Sequence, residues 1–240
     1  MQLENKVIMI TGGSAGLGAA LARRFAEEGA AVSICARSEK PLEVVCREIE
    51  KQGGRCLSAA ADVTNPDDVA RWLRLTNAEL GPVDAFVNNA SLLGDRVAIE
   101  DYDLETWRAV IDVNLTGAFI CAKAVVPYLR ETRGSLIHVS SGVGDHGRPY
   151  WGAYCVTKNG LEALSEMMAG ELEEDGVRVN AVDPGSMRTD MRAAAYPDED
   201  PETLPEPYEV TDVFVYLAAD RSREVSGHRF KAKEFEVSAR

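Results

Sequence analysis

The stretch "YWGAYCVTK", Tyr150 to Lys158, sets a lysine four residues after a tyrosine. On a helix that spacing places Tyr154 and Lys158 on one face, a turn apart. A phenol has a suitable group for acid–base work but an ordinary pKa near 10, too high for a base at neutral pH. At about 4 Å and an effective dielectric near 20, an ammonium attracts a phenolate by about 4 kcal/mol, or roughly three pKa units before desolvation subtracts some. Tyr154 so placed could titrate near neutrality. The pair alone equally fits an aromatic residue and a surface cation on an ordinary helix, so the rest of the chain must decide.

A second group of residues could hold an anion. "VIMITGGSAGLG" reads as a strand that enters a turn with Gly12, Gly13, Gly16 and Gly18 and then a helix over Gly16–Glu28. Leu17, Leu21 and Phe25 recur at helical spacing there, and Gly29 supplies the stop. Glycines let the backbone approach a ligand, and the helix N-terminus offers free N–H groups to a pyrophosphate. The spacing is not G-x-G-x-x-G, and no Lys-Ser/Thr follows as a phosphate loop of the GK[ST] type requires. A plain tight strand-to-helix turn has the same features.

The elements that would position these residues are legible as alternation. Short β-rich apolar runs fall at Val7–Ile10, Ala31–Ala36, Arg55–Ala60, Val83–Asn88, Ser135–Ser140 and Val177–Val182, with helical segments between most of them. This predicts an α/β fold, a parallel sheet with helices on both faces. A chain of 240 residues, 45% hydrophobic, can bury one large core, and no linker divides it before residue 195. Residues 1–240 are therefore read as one domain. "YPDEDPETLPEPYEV", Tyr196 to Val210, carries four prolines and many carboxylates, a composition unsuited to a helix or strand of its own. Its core, 196–209, is either a surface connection or a mobile flap near a pocket.

A formal charge of −13 argues against binding nucleic acid or an anionic membrane surface, since both polyanions would be repelled. An anionic cofactor is still compatible, because local donors outweigh distant screened charges. The N-terminal apolar run of four residues is neither a signal peptide nor a membrane span. Five cysteines without a C-x-x-C pair, and three histidines, point to a reduced, cytoplasmic chain without a metal site.

Thr11-Gly12-Gly13-Ser14-Ala15-Gly16-Leu17-Gly18 resembles the T-G-x-x-x-G-x-G turn of the classical short-chain dehydrogenase/reductase family. Further matches follow in the same order: Asp62 after the third strand, Asn88-Asn89-Ala90, Asn114, then Ser141, Tyr154 and Lys158 as S…Y-x-x-x-K, and "NAVDPG" from Asn180 to Gly185. The resemblance runs from residue 7 to about residue 190. It implies a single doubly wound Rossmann domain of about seven mainly parallel strands in the order 3-2-1-4-5-6-7.

It also implies hydride transfer between a nicotinamide cofactor and a carbonyl or alcohol. In that scheme Tyr154 is the acid/base, Lys158 lowers its pKa and holds the nicotinamide ribose, and Ser141 hydrogen-bonds the substrate oxygen. Ser141 is selected over Ser140 by the family's spacing of thirteen residues to the tyrosine, and Ser140 should face away from it. Asn114 would order a water that links Lys158 to solvent. Cofactor contacts are implied for Gly12, Ser14, Gly16, Leu17 and Gly18, for Asp62 and Val63, for Asn88 and Ala90, and for Pro184, Gly185, Met187 and Thr189. At the end of the second strand, "SICARSEK" places Arg37 and Ser38 where an acidic side chain would bind a ribose 2′-hydroxyl. Arginine can pair with a 2′-phosphate, so NADP(H) is the expected cofactor and NAD(H) the alternative, Arg37 also fitting a solvated helix start. A homodimer or homotetramer, assembled through the helices carrying Asn114 and Tyr154, is implied as well.

Some features depart from the family pattern. Ser91 replaces the glycine of N-N-A-G, the segment after Gly185 lacks a long helical lid, and "VSGHRFKAKEFEVSAR" lacks the glycine-rich ending of many members, which leaves its role open. The ending "DPGSMRTDMRAAAYPDEDP" resembles a bacterial subgroup of unassigned substrate. His146 is either a loop residue in solvent or a substrate contact, whereas His138 and Cys121 read as interior residues. Leu92, Leu93, Val143, Trp151, Met187 and Met191 flank the expected pocket and would make it partly apolar. Two other readings are a 3-oxoacyl thioester reductase and a non-catalytic NADP(H)-sensing protein. A methyltransferase would want an acidic residue where Arg37 stands.

Overall fold

The structure is a computed structural model that describes residues 1–236. Seven strands form one sheet: β1 (Val7–Thr11), β2 (Ala31–Ala36), β3 (Arg55–Ala60), β4 (Ala85–Asn88), β5 (Ser135–Val139), β6 (Arg178–Asp183) and β7 (Arg229–Lys231). Their order is β3-β2-β1-β4-β5-β6-β7, and every pairing is parallel. The chain therefore reverses its direction of winding between β1 and β4, which opens a crevice at the carboxyl ends of these strands.

Helices cover both faces. On one side α1 (Gly16–Glu27), α2 (Glu39–Lys51) and α8 (Asp212–Ala218) pack Leu21, Phe25, Leu42, Ile49 and Phe214 against Ile8, Ile10, Val32 and Ile34 of the sheet. On the other, α3 (Pro66–Glu79), α5 (Ala118–Thr132) and α6 (Gly152–Glu171) bring Trp72, Val125, Leu129 and Met168 against Met9, Phe86, Leu136 and Val179. The central strands are buried on both faces, so β1, β4, β5 and β6 show no alternation of buried and exposed positions, and β5 and β6 bury polar residues among the apolar ones. Local chemistry sets the helix starts: Asn65 accepts from Asp67 N and Asp68 N with Pro66 in the first turn, and Asp103 accepts from Thr106 N ahead of α4 (Leu104–Ile111).

A π-helical turn over Asp112–Gly117 joins α4 to α5, so helical backbone runs continuously over Leu104–Thr132. Its mean hydropathy reaches 1.7, enough by length and composition to cross a membrane, yet its apolar face here packs on the sheet and on α6. In the acidic segment the sequence predicts no element. The short helix α7 (Asp190–Ala195) precedes it, and two 3-10 turns, Pro201–Thr203 and Pro207–Val210, form within it. Arginines supply what the composition hides: Arg192 pairs with Glu199, and Arg188 with Glu202 and Glu206.

The cysteines also depart from expectation. A disulfide joins Cys46 of α2 to Cys56 of β3, leaving Cys35, Cys121 and Cys155 as buried thiols. No C-x-x-C spacing announces this bond; the return from a helix to its adjacent strand brings the two residues together.

Candidate active site

A cavity of about 570 Å³ lies at the carboxyl ends of the strands and contains both groups of residues from which the sequence argument began. One end is the glycine turn. Gly12 (φ +67°) and Gly16 (φ +51°) occupy the left-handed region, and a Cβ at Gly18 would collide with the Gly12 carbonyl. The N-terminus of α1 is capped by Ala15, with no side-chain hydrogen bond and no acidic residue in its first turn. Its N–H donors are thus left to an anion. Ser14 and Leu17 line the same end, and Arg37 and Ser38 flank it at the end of β2.

Asp62 and Val63 form the adjoining wall, where Asp62 Oδ1 accepts from Thr64 N at 2.9 Å and Thr64 Oγ1 at 2.7 Å. Ala90, Pro184, Gly185, Met187 and Thr189 line the cavity as expected. Asn88 does not. Its amide is buried, donating to the Ala118 carbonyl at 2.9 Å and lying 3.4 Å from His138 Nδ1. The cavity meets Asn89 instead, whose Nδ2 donates to the Thr11 carbonyl at 2.8 Å and to Gly12 O at 3.2 Å. Asn89 therefore braces the glycine turn, and the alternation of the strand end puts its neighbour inside.

The other end holds the acid–base candidates. Tyr154 and Lys158 lie one turn apart on α6, with Nζ 5.5 Å from the tyrosine ring centre. Burial pushes the Tyr154 phenol up to about 12; Ser141 opposes this by favouring the charged form, and Asp183 adds to it. The sequence expectation is a phenol brought toward neutrality by Lys158; here burial is the largest influence and holds it high. Lys158 Nζ donates to the Val139 carbonyl at 2.8 Å, and burial lowers its pKa to about 8.

Ser141 faces Tyr154 from the loop after β5. Ser140 is 2% exposed, with its hydroxyl buried beside Gly144 and unpartnered, while the residue forms part of the cavity wall. Asn114 sits in the π-helical turn and does not line the cavity. Its Oδ1 accepts from Leu92 N at 2.7 Å, and its Nδ2 donates to Leu92 O at 2.8 Å and to Thr157 Oγ1 at 3.3 Å. Its amide fixes the loop beside the cavity and has no hydrogen bond to Lys158.

Around the acid–base end the wall is mixed. Leu92, Leu93, Val143, Trp151 and Met191 line it, together with Tyr196 and Arg148. Arg96 stacks on both Trp151 and Tyr196 and donates to the Ala195 carbonyl. His146 is exposed beside Asp145 and is not part of the wall, whereas His138 is fully buried, its pKa lowered to about 3 by burial and by Lys158. Residues the sequence argument missed include Asp183 and Ser186 of the wall. Asp183 was visible in "NAVDPG", but nothing in the spacing marks its carboxylate as close enough for its charge to act on the tyrosine.

A family model described as short chain dehydrogenase matches residues 6–200. The chain belongs to the short chain dehydrogenase family. Among relatives, the uncharacterized oxidoreductase YciK of Escherichia coli K12 is 33% identical over 96% of this chain and 93% of its own. The 3-oxoacyl-(acyl-carrier-protein) reductase FabG of Thermotoga maritima is 35% identical over 95% and 96%. A short chain dehydrogenase of Shigella flexneri 2a, solved in complex with NADP, superposes with a TM-score of 0.93 at 32% identity, covering 97% of this chain and 98% of that one. This dehydrogenase is accordingly an oxidoreductase of a family that uses a nicotinamide dinucleotide. Its residues fit such a group: the glycine turn leaves room for backbone approach, uncapped N–H donors face the cavity, and Arg37 has no ion pair among the described residues.

Proposed function

We propose that this short chain dehydrogenase interconverts a carbonyl compound and its alcohol with NADP(H) as cofactor, Tyr154 serving as the acid/base. The observation that carries this reading is the meeting of Ser141, Tyr154 and Lys158 at one end of a single cavity whose other end is the uncapped helix N-terminus of the glycine turn. The cofactor, when bound, supplies or accepts the hydride. Tyr154 gives its proton to the carbonyl oxygen in reduction and takes it back in oxidation, while Ser141 donates a hydrogen bond to the same oxygen. The Lys158 ammonium favours the phenolate and would hold the nicotinamide ribose.

Gly12, Ser14, Gly16, Leu17 and Gly18 would cradle the pyrophosphate, and Arg37 and Ser38 would take a ribose 2′-phosphate. The NADP complex of the Shigella flexneri relative supports the choice of cofactor. Asn114 enters as a positioning residue for the Leu92 loop. Tyr196 makes the 196–209 segment part of the substrate wall, so its movement would change access to the pocket. A 3-oxoacyl thioester is a candidate substrate on the strength of the Thermotoga maritima relative. A purely sensing role would leave the acid–base set without a purpose.

Titration of the purified protein with NADPH and NADH, followed by a panel of ketones, diketones, quinones and 3-oxoacyl thioesters, tests the reading. The expected result is at least tenfold tighter NADPH binding and consumption of one carbonyl class, with equal affinities refuting the role of Arg37. Tyr154→Phe should lower turnover by a factor of about 10³ or more, with NADPH affinity within about threefold of the parent. A fully active Tyr154→Phe protein would overturn the assignment.

A further inference from the structure

The C-terminal stretch "HRFKA", for which the sequence suggests no role, delivers a side chain to the back of the site. Arg229 opens β7, in parallel register with Ala181 of β6. Its Nη2 donates to the Ser141 carbonyl at 3.0 Å, and its Nε donates to Glu162 Oε1 at 2.8 Å. Asp183 Oδ2 lies 3.7 Å from Nη2, and Asp145 Oδ2 lies 3.8 Å from Nη1. One guanidinium thus touches the loop that carries Ser141, the helix that carries Tyr154 and Lys158, and the end of the strand that carries Asp183.

We propose that Arg229 is a positioning residue of the acid–base site: it anchors the backbone under the Ser141 hydroxyl and neutralises Asp183, which keeps the Tyr154 phenol able to ionise. The inference rests on the reading of Tyr154 as the acid/base.

The anchor acts on backbone that needs one. Val143 of this turn is buried against Tyr154 and Cys155, whereas Ser141 and Gly142 are only half-buried, so the position of Ser141 depends on the hydrogen bonds of its backbone. The Ser141 carbonyl accepts from Gly144 N at 2.8 Å, and Arg229 adds the second bond. The charges also converge. Asp183 Oδ1 is held by Gly185 N at 2.9 Å, which leaves Oδ2 toward Arg229. With side chains 10% and 25% exposed, this pair is screened less by solvent than a surface pair.

The charged and titratable groups around Tyr154 include Cys155, Lys158 and Glu162 on its own helix, Tyr102 against the start of that helix, Asp145 and Arg148 on the loop after β5, His138 on β5, Asp183 on β6, Asp190 and Arg192 on α7 and Arg229 on β7. His138 is held neutral by burial. Removing Arg229 leaves Asp183 and Glu162 without their shared partner and makes the field at Tyr154 more negative by one charge. The phenolate is then disfavoured, and its titration moves to higher pH.

The test reads Tyr154 directly and needs no substrate. In full-length protein saturated with NADP⁺, phenolate absorbance near 295 nm is titrated upward through the raised range of the phenol, and the matched Tyr154→Phe titration is subtracted to remove the other six of the seven tyrosines. Arg229→Gln should raise the Tyr154 midpoint by about one pH unit, Arg229→Lys should restore most of it, and Arg229→Gln with Asp183→Asn should return it to the parent value. Asp183→Asn alone, in a chain that keeps Arg229, should lower the midpoint, which preserves the test if Arg229→Gln does not fold.

A Tyr154 signal with the same midpoint in the parent and in Arg229→Gln overturns the proposal. An unshifted midpoint in Asp183→Asn removes its electrostatic half. Active Tyr154→Phe protein would instead defeat the underlying reading, so the two failures are distinct.

Discussion

Lys158 is 2% exposed, and its ammonium has a backbone carbonyl, not a carboxylate, within hydrogen-bonding distance. Burial is the largest influence on it and lowers its pKa from 10.5 to about 8, with the charge of Glu162 opposing. The unfolded chain therefore holds this proton more tightly than the folded one. Below about pH 8 both states carry the charge and folding bears its full desolvation cost; as pH rises from 8 to 10.5 the cost disappears and stability rises. The difference corresponds to about 3 kcal/mol at neutral pH, from which about 1 kcal/mol is subtracted for the bond to Val139. Lys158→Met should therefore abolish turnover yet stabilise the protein by about 2 kcal/mol at pH 7. Urea unfolding at pH 7 and pH 10.5 checks it: the gain should vanish at the higher pH, and a variant less stable than its parent at pH 7 would contradict the argument. The placing of Tyr154, Lys158 and Ser141 on one cavity was legible in sequence because two of them lie a helical turn apart and the third matches the spacing of the family it resembles. Arg229 was not, since its partners lie 46 to 88 positions away along the chain and meet it only through the order of β5, β6 and β7. The exchange of Asn88 for Asn89 has a smaller cause, because one residue at a strand end decides which side chain turns inward.

The acidic segment after α7 shows what composition reveals at the scale of an element and what it hides. Four prolines and many carboxylates exclude a long helix or a sheet strand, and none forms there. Net charge conceals the order that appears instead, because the cations that fix the segment lie just before it. Arg192 meets both Glu199 oxygens at 2.6 Å, and Arg188 reaches Glu202 and Glu206. At the far end Tyr208 donates to Glu27 of α1 at 2.6 Å and accepts from Arg24 at 3.2 Å. The first half of the segment is thereby tied to the substrate wall and the second half to α1. Arg192→Gln should raise amide hydrogen exchange in residues 196–204 by about threefold to tenfold and leave 207–210 unchanged, because a bidentate arginine–carboxylate pair is lost at one end only. Mass-resolved exchange at neutral pH would show this, and uniform exchange across both halves would contradict it. The hydrogen bond from Arg192 holds the Glu199 carboxyl below its usual range. Its contribution to order is therefore complete at neutral pH and lost as pH falls through that lowered value.

At the scale of the molecule, the parallel sheet followed from the alternation of apolar runs and the strand order from resemblance, whereas assembly depends on surfaces that periodicity does not distinguish from core. Phe119 on α5 and Val156 and Met167 on α6 are 48%, 49% and 59% exposed, on the two helices for which family resemblance implies subunit contact. Val156 and Met167 are eleven residues apart, three helical turns, so they share one face. Large apolar side chains with about half their surface left in water forgo roughly 1 kcal/mol each, and the charge of −13 adds repulsion between copies that such contacts must exceed. Family resemblance implies that α5 and α6 meet their counterparts in a second copy. Light scattering on the parent at tens of micromolar should give the mass of two or four chains, with added salt strengthening the assembly as it screens the repulsion. Val156→Asp with Met167→Asp should convert it to a lighter species, because four carboxylates would face one another across a two-fold contact. The same variant should retain NADPH binding, since neither residue lines the cavity. A parent that scatters as a single chain at that concentration would refute the inference, and so would a double variant of unchanged mass.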